Sequence, residues 1–186
     1  DLDFIDGEVD KLIDLDIIEP SASPWSSNIV LVRKKNGKLR MCVDFRRVNA
    51  LTRKDAYPIP KIDSCLDVLG GSQYFSSLDL RAGYWQAEIL PEDRDKTSFV
   101  TRKGQFRFKV LPFGLSNAVG LFQRLQDRVL AGLNWAICLV YLDDIAVFSR
   151  TFAEHIRRLR MVFDRMQAAN LKFNPEKCSL FQRKME

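Results

Sequence analysis

Three tight-turn signals, each set between two short apolar runs, constrain the fold of this chain more than any other feature. Asn36-Gly37 separates Ile29–Val32 from Leu39–Val43, and Asn-Gly between such runs is a strong β-hairpin signal. Similar interruptions stand at Lys103-Gly104 and at Asp143-Asp144. Hairpins join antiparallel strands, whereas parallel strands need long crossovers. The pattern therefore predicts an α+β fold, with an antiparallel sheet packed on helices.

Apolar residues at helical spacing predict four helices, two between these turns and one at each end of the chain. Their expected ranges are about 4–16, 61–69, 117–130 and 152–168. Alternating residues predict a strand at 74–80 and another through Trp85, Ala87 and Ile89, and short strands at 171–173 and 178–181 end the chain. The apolar stripe from Phe152 to Met166 is expected in the core, and His155 on the surface.

Composition excludes several classes of protein. The 186 residues are 46% hydrophobic and 28% charged, which argues against disorder. The longest apolar run, Trp135–Leu142, is far shorter than the roughly 20 residues that span a bilayer. One histidine and four cysteines without a CxxC pair argue against a Cys/His zinc site.

Charge is distributed unevenly along the chain. Residues 1–19 hold eight acids and one lysine, whereas residues 33–54 hold nine cations against Asp44 alone. The basic block falls on and just after the first predicted hairpin. Such a density indicates a polyanionic partner, for example nucleic acid or a triphosphate, although a solvated basic surface gives the same pattern.

Carboxylates end two of the predicted strands. Asp143 and Asp144 follow the apolar run that ends at Tyr141-Leu142, and Asp79 ends the strand that begins at Tyr74. Unpaired buried carboxylates are costly, so divalent cations are the expected compensation, although Asp143-Asp144 alone could be an exposed turn. Oxygen ligands of this kind suit Mg²⁺, and two such ions can activate a hydroxyl and stabilise a leaving pyrophosphate. We expect Asp79 and Asp143 to bridge the metals and Asp144 to support them.

An ordered series of segments covering nearly the whole chain resembles the reverse transcriptases of gypsy-type long-terminal-repeat retrotransposons. The segments are Ser23–Ser27, Arg40–Arg46, Asp55–Pro60, Leu78–Gln86, Leu111–Ala118, Tyr141–Ile145 and Leu171–Cys178. The Tyr-x-Asp-Asp element is a moderate signal alone, and the order and spacing of the series make the resemblance specific. One departure lies at Val119-Gly120, where relatives usually carry Pro-Ala.

The resemblance implies a right-hand polymerase. Fingers would span 20–56 and a palm with interleaved fingers elements 57–186, after an acidic helical lead-in at 1–19. The chain would be a piece of a Pol polyprotein, with the primer grip, thumb, ribonuclease H and integrase beyond Glu186 and therefore absent from it. The implied location is intracellular, in the cytoplasm and within virus-like particles.

The implied activity is RNA-directed DNA polymerase, which transfers dNMP from a dNTP to a primer 3′-hydroxyl on an RNA or DNA template. Two Mg²⁺ ions (Mn²⁺ is the alternative) would be held by Asp79, Asp143 and the backbone carbonyl of Leu80. Two other interpretations stay open: an inactive nucleic-acid-binding remnant and the palm of an RNA-dependent RNA polymerase.

The resemblance also implies roles for individual side chains. Lys34 and Arg40 would hold the triphosphate, Tyr84 would lie beneath the sugar, and Phe113 would line the nucleotide pocket. Nucleic acid would be contacted by Lys35, Lys38, Arg46 and Gln123. A bulky ring at Tyr84 would exclude a ribose 2′-hydroxyl, which favours a DNA-making enzyme.

Overall fold

A computed structural model describes residues 1–34 and 36–184. The helices are α1 (Leu2–Asp14), α2 (Arg46–Leu51), α3 (Ile62–Leu69), α4 (Pro91–Arg94), α5 (Ala118–Val129) and α6 (Phe152–Ala168). The strands are β1 (Ile18–Pro20), β2 (Ile29–Arg33), β3 (Leu39–Val43), β4 (Tyr74–Asp79), β5 (Phe99–Thr101), β6 (Gly104–Phe108), β7 (Cys138–Tyr141), β8 (Asp144–Ser149) and β9 (Ser179–Gln182). Within these ranges, no helix combines the length and apolar character that a membrane crossing requires.

The chain forms two compact units, each built from two segments. The first unit contains Asp1–Lys54 and Tyr84–Ala118, and the second contains Asp55–Gly83 and the chain from Val119 onward. The sequence placed a boundary at 57, close to the first passage between units. It did not locate the return of 84–118 to the first unit.

The first unit has a core rich in phenylalanine. Strands β1, β6 and β5 form an antiparallel sheet in that order, and β2 and β3 form the predicted hairpin with Val32 opposite Arg40. The core joins four phenylalanines to apolar residues of α1 and β1: Val9, Leu12, Ile17, Ile18, Phe45, Phe99, Phe106 and Phe108. The acidic N-terminal helix is thus part of this unit.

Acids of α1 and the residues after it pair with cations of the β5–β6 hairpin and its C-terminal flank. Arg102 contacts Asp3 and Asp6 at 2.6 Å each, and Lys109 Nζ lies 2.6 Å from Asp16 Oδ2. Exposed pairs of this kind add little stability. They do place the negative charge of residues 1–19 against a basic hairpin of the same unit.

The second unit carries a four-stranded antiparallel sheet in the order β7-β8-β4-β9. Successive strand residues face opposite sides. Ala146 and Phe148 of β8 pack towards α3, whereas Ser149 faces α6, where it contacts His155. Helices therefore cover both faces, as the predicted α+β architecture requires.

Two predicted strands are wrong. Residues Gly83–Gln86 form a 3₁₀ helix, because local bonds such as Ala87 N–H to the Tyr84 carbonyl (3.1 Å) turn the backbone. At 171–173 the chain makes only an isolated bridge between Phe173 and Leu80. Short alternating runs cannot be separated from such turns by pattern alone.

The prediction of a surface position for His155 is also wrong. Its side chain is fully buried, with Nε2 2.7 Å from Ser76 Oγ and Nδ1 3.0 Å from Ser149 Oγ. Two serine hydroxyls satisfy the ring, so its burial leaves neither nitrogen unpaired. Conversely, Phe152 and Ile156 of the predicted core stripe are 50% and 41% exposed.

Candidate catalytic site

The three predicted carboxylates come to one end of the second unit's sheet. Asp79 ends β4 and Asp144 begins β8, and the two are direct partners in the antiparallel register. Directly opposed residues have Cβ atoms about 5 Å apart. Asp143 precedes Asp144 in the tight turn between β7 and β8. The strand pairing thus places three acidic side chains together.

The turn that carries Asp143 has an unusual backbone. Tyr141 pairs with Asp144 across the hairpin, and Leu142 between them has φ +55°, in the left-handed region. That region is unfavourable for a residue with a branched side chain. The N–H of Leu142 donates to Gln123 Oε1 of α5 at 3.1 Å. The turn is therefore fixed by a side chain from outside the sheet.

Electrostatics at this end of the sheet favour a bound cation. Burial first, and then the charges of Asp144 and Asp79, raise the pKa of Asp143. Burial and the charge of Asp79 likewise raise the pKa of Asp144. Lys177 opposes both rises, and its Nζ lies 3.3 Å from Asp79 Oδ2. Lys177 therefore offsets part, but not all, of the effect of the neighbouring acids on these two pKa values.

Two carboxylate oxygens of the site, Asp79 Oδ1 and Asp143 Oδ1, are buried and have no hydrogen-bond partner among the residues that the structure describes. Buried acceptors of this kind are costly, and a hard divalent cation is the ligand that two carboxylate oxygens best accommodate. The residues present therefore fit a divalent-cation site.

Further ligands must come from groups other than acidic side chains. In residues 1–34 and 36–184, no three His, Cys, Asp or Glu side chains are already gathered as a metal site. The Leu80 carbonyl is one candidate. Leu80 forms an antiparallel bridge with Phe173, and the hydrogen bonds of this bridge come from the residues on either side of Leu80. Arg81 N–H donates to the Lys172 carbonyl, and Asn174 N–H donates to the Asp79 carbonyl. The Leu80 carbonyl therefore points away from the Phe173 segment.

Gly83 is a site residue that the sequence analysis missed. A Cβ on Gly83 would lie 3.0 Å from the Phe122 ring and 3.6 Å from Asp143 Oδ1. The contact with Phe122 is therefore tight, whereas the distance to Asp143 is an ordinary van der Waals contact. Its position four residues after Asp79 was visible in the sequence, but the Phe122 ring that it touches was not.

In the first unit, three of the four predicted nucleotide-binding residues lie together. The guanidinium carbon of Arg40 is 5.4 Å from the centre of the Phe113 ring, and the Tyr84 and Phe113 rings are 5.0 Å apart in an edge-on arrangement. Phe113 is 40% exposed. A cation and two rings thus form one partly open cluster.

The remaining predicted cations differ from one another. Lys34 and Lys38 are exposed at the hairpin end, where Lys34 N–H donates to the Lys38 carbonyl at 2.8 Å. Arg46 is also exposed, but Asp44 binds its guanidinium with both oxygens, at distances down to 2.6 Å. This pairing lowers the pKa of Asp44 to about 2 and partly neutralises Arg46. Lys35 lies outside the described residues.

Gln123 does not occupy the position expected for a template contact. Its side chain is fully buried, and it bonds to the backbone of the β7–β8 hairpin instead. A side chain without exposed surface has no face to offer a nucleic acid. The spacing of apolar residues predicted the helix that carries Gln123. It did not predict the backbone groups of the β7–β8 hairpin to which its buried side chain bonds.

The second unit thus carries an antiparallel sheet with acidic residues at one end of its strands, in a chain that also has exposed cations on its first hairpin. The chain belongs to the reverse transcriptase family, since the family model described as "Reverse transcriptase (RNA-dependent DNA polymerase)" matches residues 32–186. Within that family it is similar to the gypsy-type retrotransposon enzymes.

Curated relatives resemble the chain along its full length. It is 42% identical to the retrovirus-related Pol polyprotein from transposon opus and 40% identical to that from transposon gypsy, both of Drosophila melanogaster. These matches cover 98% and 99% of this chain, which spans 19% and 18% of the two polyproteins. The enzymatic polyprotein of cauliflower mosaic virus (strain Strasbourg) is 34% identical over 100% of this chain and 28% of its own length.

Solved reverse transcriptase structures have a similar fold. A foamy viral protease-reverse transcriptase in complex with double-stranded DNA has a TM-score of 0.88 and 26% identity, over 97% of this chain and 32% of that one. A foamy viral protease-reverse transcriptase with an RNA/DNA hybrid has a TM-score of 0.84 and 25% identity, over 96% and 24%. The family implies use of a divalent metal.

Proposed function

We propose that the chain carries the polymerase centre of an RNA-directed DNA polymerase within a retrotransposon Pol polyprotein. It would transfer dNMP from a dNTP to a primer 3′-hydroxyl under the direction of a template. One observation carries the proposal: Asp79 and Asp144 are register partners, Asp143 lies in the adjoining turn, and two of their buried oxygens lack partners.

Asp79, Asp143 and the Leu80 carbonyl are the groups that would hold two Mg²⁺ ions. Such ions, when bound, activate the attacking hydroxyl and stabilise the leaving pyrophosphate. The protein's own contribution is to hold the two carboxylates at fixed strand ends, away from competing hydrogen bonds. Lys177 balances part of their charge before the cations bind.

The first unit would act as fingers and the second as the palm. In this assignment Arg40 and Lys34 provide the cations for a triphosphate, because developing charge on the phosphates needs positive partners. The Tyr84–Phe113 pair provides an apolar surface for the nucleotide sugar. The substrates would be a dNTP and a primed RNA or DNA template, and the rest of the polyprotein would complete the grip on the duplex.

Substitution of the carboxylates tests the proposal. In the full-length enzyme, Asp79→Asn or Asp143→Asn should abolish nucleotide addition, because an amide does not replace the charge that holds the cations. Primed-template binding, measured by fluorescence anisotropy, should stay within about twofold, since the basic surface is unchanged. Asp67→Asn, an exposed residue of α3, is the matched control and should keep wild-type rates. Wild-type rates in Asp79→Asn would contradict the assignment.

A second test separates DNA synthesis from RNA synthesis. Tyr84→Val should admit rNTPs while dNTP use persists, because a smaller side chain leaves space for the 2′-hydroxyl. The measurement is competition between dNTP and rNTP incorporation, read as the ratio of kcat/KM values. Equal sugar selectivity in both enzymes would remove the physical argument against an RNA polymerase. A wild-type full-length enzyme without any activity would favour the inactive remnant.

A further inference from the structure

We propose that Gln123 is a positioning residue, whose side chain holds the catalytic turn in its left-handed conformation. The inference rests on the proposed function for its consequence in catalysis, but the hydrogen bond itself can be measured independently. Gln123 lies on α5, outside the sheet that carries the carboxylates. It reaches the turn at Leu142, the residue directly before Asp143.

Both ends of the Gln123 amide are used. Oε1 accepts from the Leu142 N–H at 3.1 Å, and Nε2 donates to the Val140 carbonyl at 3.4 Å and to Asp127 Oδ1 at 3.3 Å. The two acceptors at Nε2 fix the orientation of the amide, because a flipped amide would put its oxygen against them. One side chain therefore contacts the last residues of β7 and the residue that opens the turn.

Asp127 in turn holds Gln123. Its Oδ2 accepts from the Tyr57 hydroxyl at 2.7 Å, and its Oδ1 accepts from Asn134 Nδ2 at 2.7 Å. The bond to Asp127 also raises the pKa of Tyr57, as expected for a hydroxyl that donates to a carboxylate. Hydrogen bonds thus connect the turn, through Gln123 and Asp127, to the side chains of Tyr57 and Asn134.

The turn needs this support because its backbone is unfavourable on its own. Leu142 adopts φ +55° without being glycine, and such residues persist where surrounding structure determines them. Loss of the bond would leave the Leu142 N–H without its partner and free the turn to relax. Asp143 and Asp144 follow directly, so relaxation would move both carboxylates relative to Asp79.

The chain contains a matched control one helical turn away. Gln126 lies on the same inner face of α5 and is also fully buried, but within residues 1–34 and 36–184 neither its Oε1 nor its Nε2 has a hydrogen-bond partner. Gln126→Met removes a buried amide of the same size without removing a bond. Gln123→Met removes the amide that holds the turn.

Amide hydrogen exchange in the 186-residue chain tests the bond directly. Protection of the Leu142 N–H should fall about tenfold or more in Gln123→Met, as expected when a hydrogen bond is lost, and stay unchanged in Gln126→Met. Unchanged protection in Gln123→Met, or an equal fall in both variants, would overturn the inference. If Gln123→Met does not fold, Asp127→Ala keeps Gln123 but removes the carboxylate that accepts from its Nε2, and it should lower Leu142 protection by a smaller factor. Unchanged protection there would equally count against the proposal.

Kinetics of the full-length enzyme give the second measurement. Gln123→Met should lower kcat about tenfold, with KM for dNTP and affinity for primed template within about twofold, because the bond acts on the turn and not on substrate. Gln126→Met should keep the wild-type kcat. Weaker template affinity with unchanged kcat would identify Gln123 as a template contact and refute positioning. A wild-type enzyme without activity would instead reject the proposed function, and the exchange result would still decide the role of Gln123.

Discussion

At the residue scale, Gly83 shows how little space the candidate site leaves. A Cβ at this position would lie 3.0 and 3.1 Å from two atoms of the buried Phe122 ring, which is closer than ordinary side-chain contacts. The ring would therefore have to shift to accept a larger residue.

Gly83→Ala should disturb this contact. We expect a loss of about 1–3 kcal/mol in the free energy of unfolding, typical of overpacking, and a roughly tenfold lower rate of nucleotide addition by the full-length enzyme. Gly7→Ala is the control, because a Cβ there has no neighbour within 4 Å, and it should not lower either quantity. An unchanged rate in Gly83→Ala would mean that the Phe122 ring yields without moving Asp143.

Much of the site could be predicted from single residues, but not all of it. Asp79, Asp143 and Asp144 were accessible because acids rarely end apolar strands without a reason. The burial of Gln123 and His155 could not be predicted, because the sequence around a polar helix residue does not show whether it has a buried hydrogen-bond partner. Their partners, Leu142 and Ser76, lie 19 and 79 residues away in the sequence.

At the scale of elements, α5 contains the departure at Val119-Gly120. A Cβ on Gly120 would lie 3.5 Å from Tyr57 Cβ and 3.7 Å from Asp55 Oδ2, which are ordinary contacts. Packing therefore does not require glycine here. Gly120 lowers the helix propensity of α5 without relieving any tight packing contact. The inward-facing residues of α5 still pack it against the sheet.

Gly120→Ala should accordingly stabilise the protein. We expect about 1 kcal/mol more free energy of unfolding, because alanine loses less conformational freedom in a helix. Urea denaturation of the 186-residue chain measures the change. The same substitution at Gly132 should destabilise, since its φ of +79° disfavours any side chain. Equal effects at the two positions would show that backbone conformation does not decide the outcome.

The hairpins were the most predictable elements. Asn36-Gly37 and Asp143-Asp144 were assigned from turn chemistry, and β2–β3 and β7–β8 lie where expected. The segment at 85–89 was not, because its alternation is short and residues 83–86 form a local 3₁₀ turn. Which of the two units it joins depends on contacts with residues such as Val110, distant from the pattern itself.

At the scale of the whole molecule, His155 makes stability depend on pH. Ser149 Oγ donates to the Thr151 carbonyl and so accepts from His155 Nδ1, while Nε2 accepts from Ser76. Both nitrogens are thus satisfied by the neutral ring. Burial first, then the charge of Arg158, lowers the pKa of His155, and Glu154 opposes this only in part.

The sign of the effect follows from the lowered pKa. The unfolded chain takes up the proton near pH 6.5, whereas the folded chain does so only at lower pH. Stability is therefore complete above about pH 6.5 and is lost as the pH falls towards the folded pKa. Between pH 7.5 and 5.5, urea denaturation should show a larger loss in the wild type than in His155→Gln, which cannot titrate. Parallel losses would show that the carboxylates alone cause the dependence.

The two-segment construction of the first unit has a consequence for synthesis on the ribosome. Ile18 pairs with Phe108, so β1 has no strand partner until about 90 further residues have emerged. Val9 and Leu12 of α1 also lack their packing partners at that stage, because their core includes Phe99 and Phe106. The nascent chain thus exposes apolar surface while part of the other unit is already being made. The first unit therefore cannot be completed until residues 55–83 of the second unit have also been synthesised, and those residues in turn lack the rest of their own unit until the chain from Val119 onward follows.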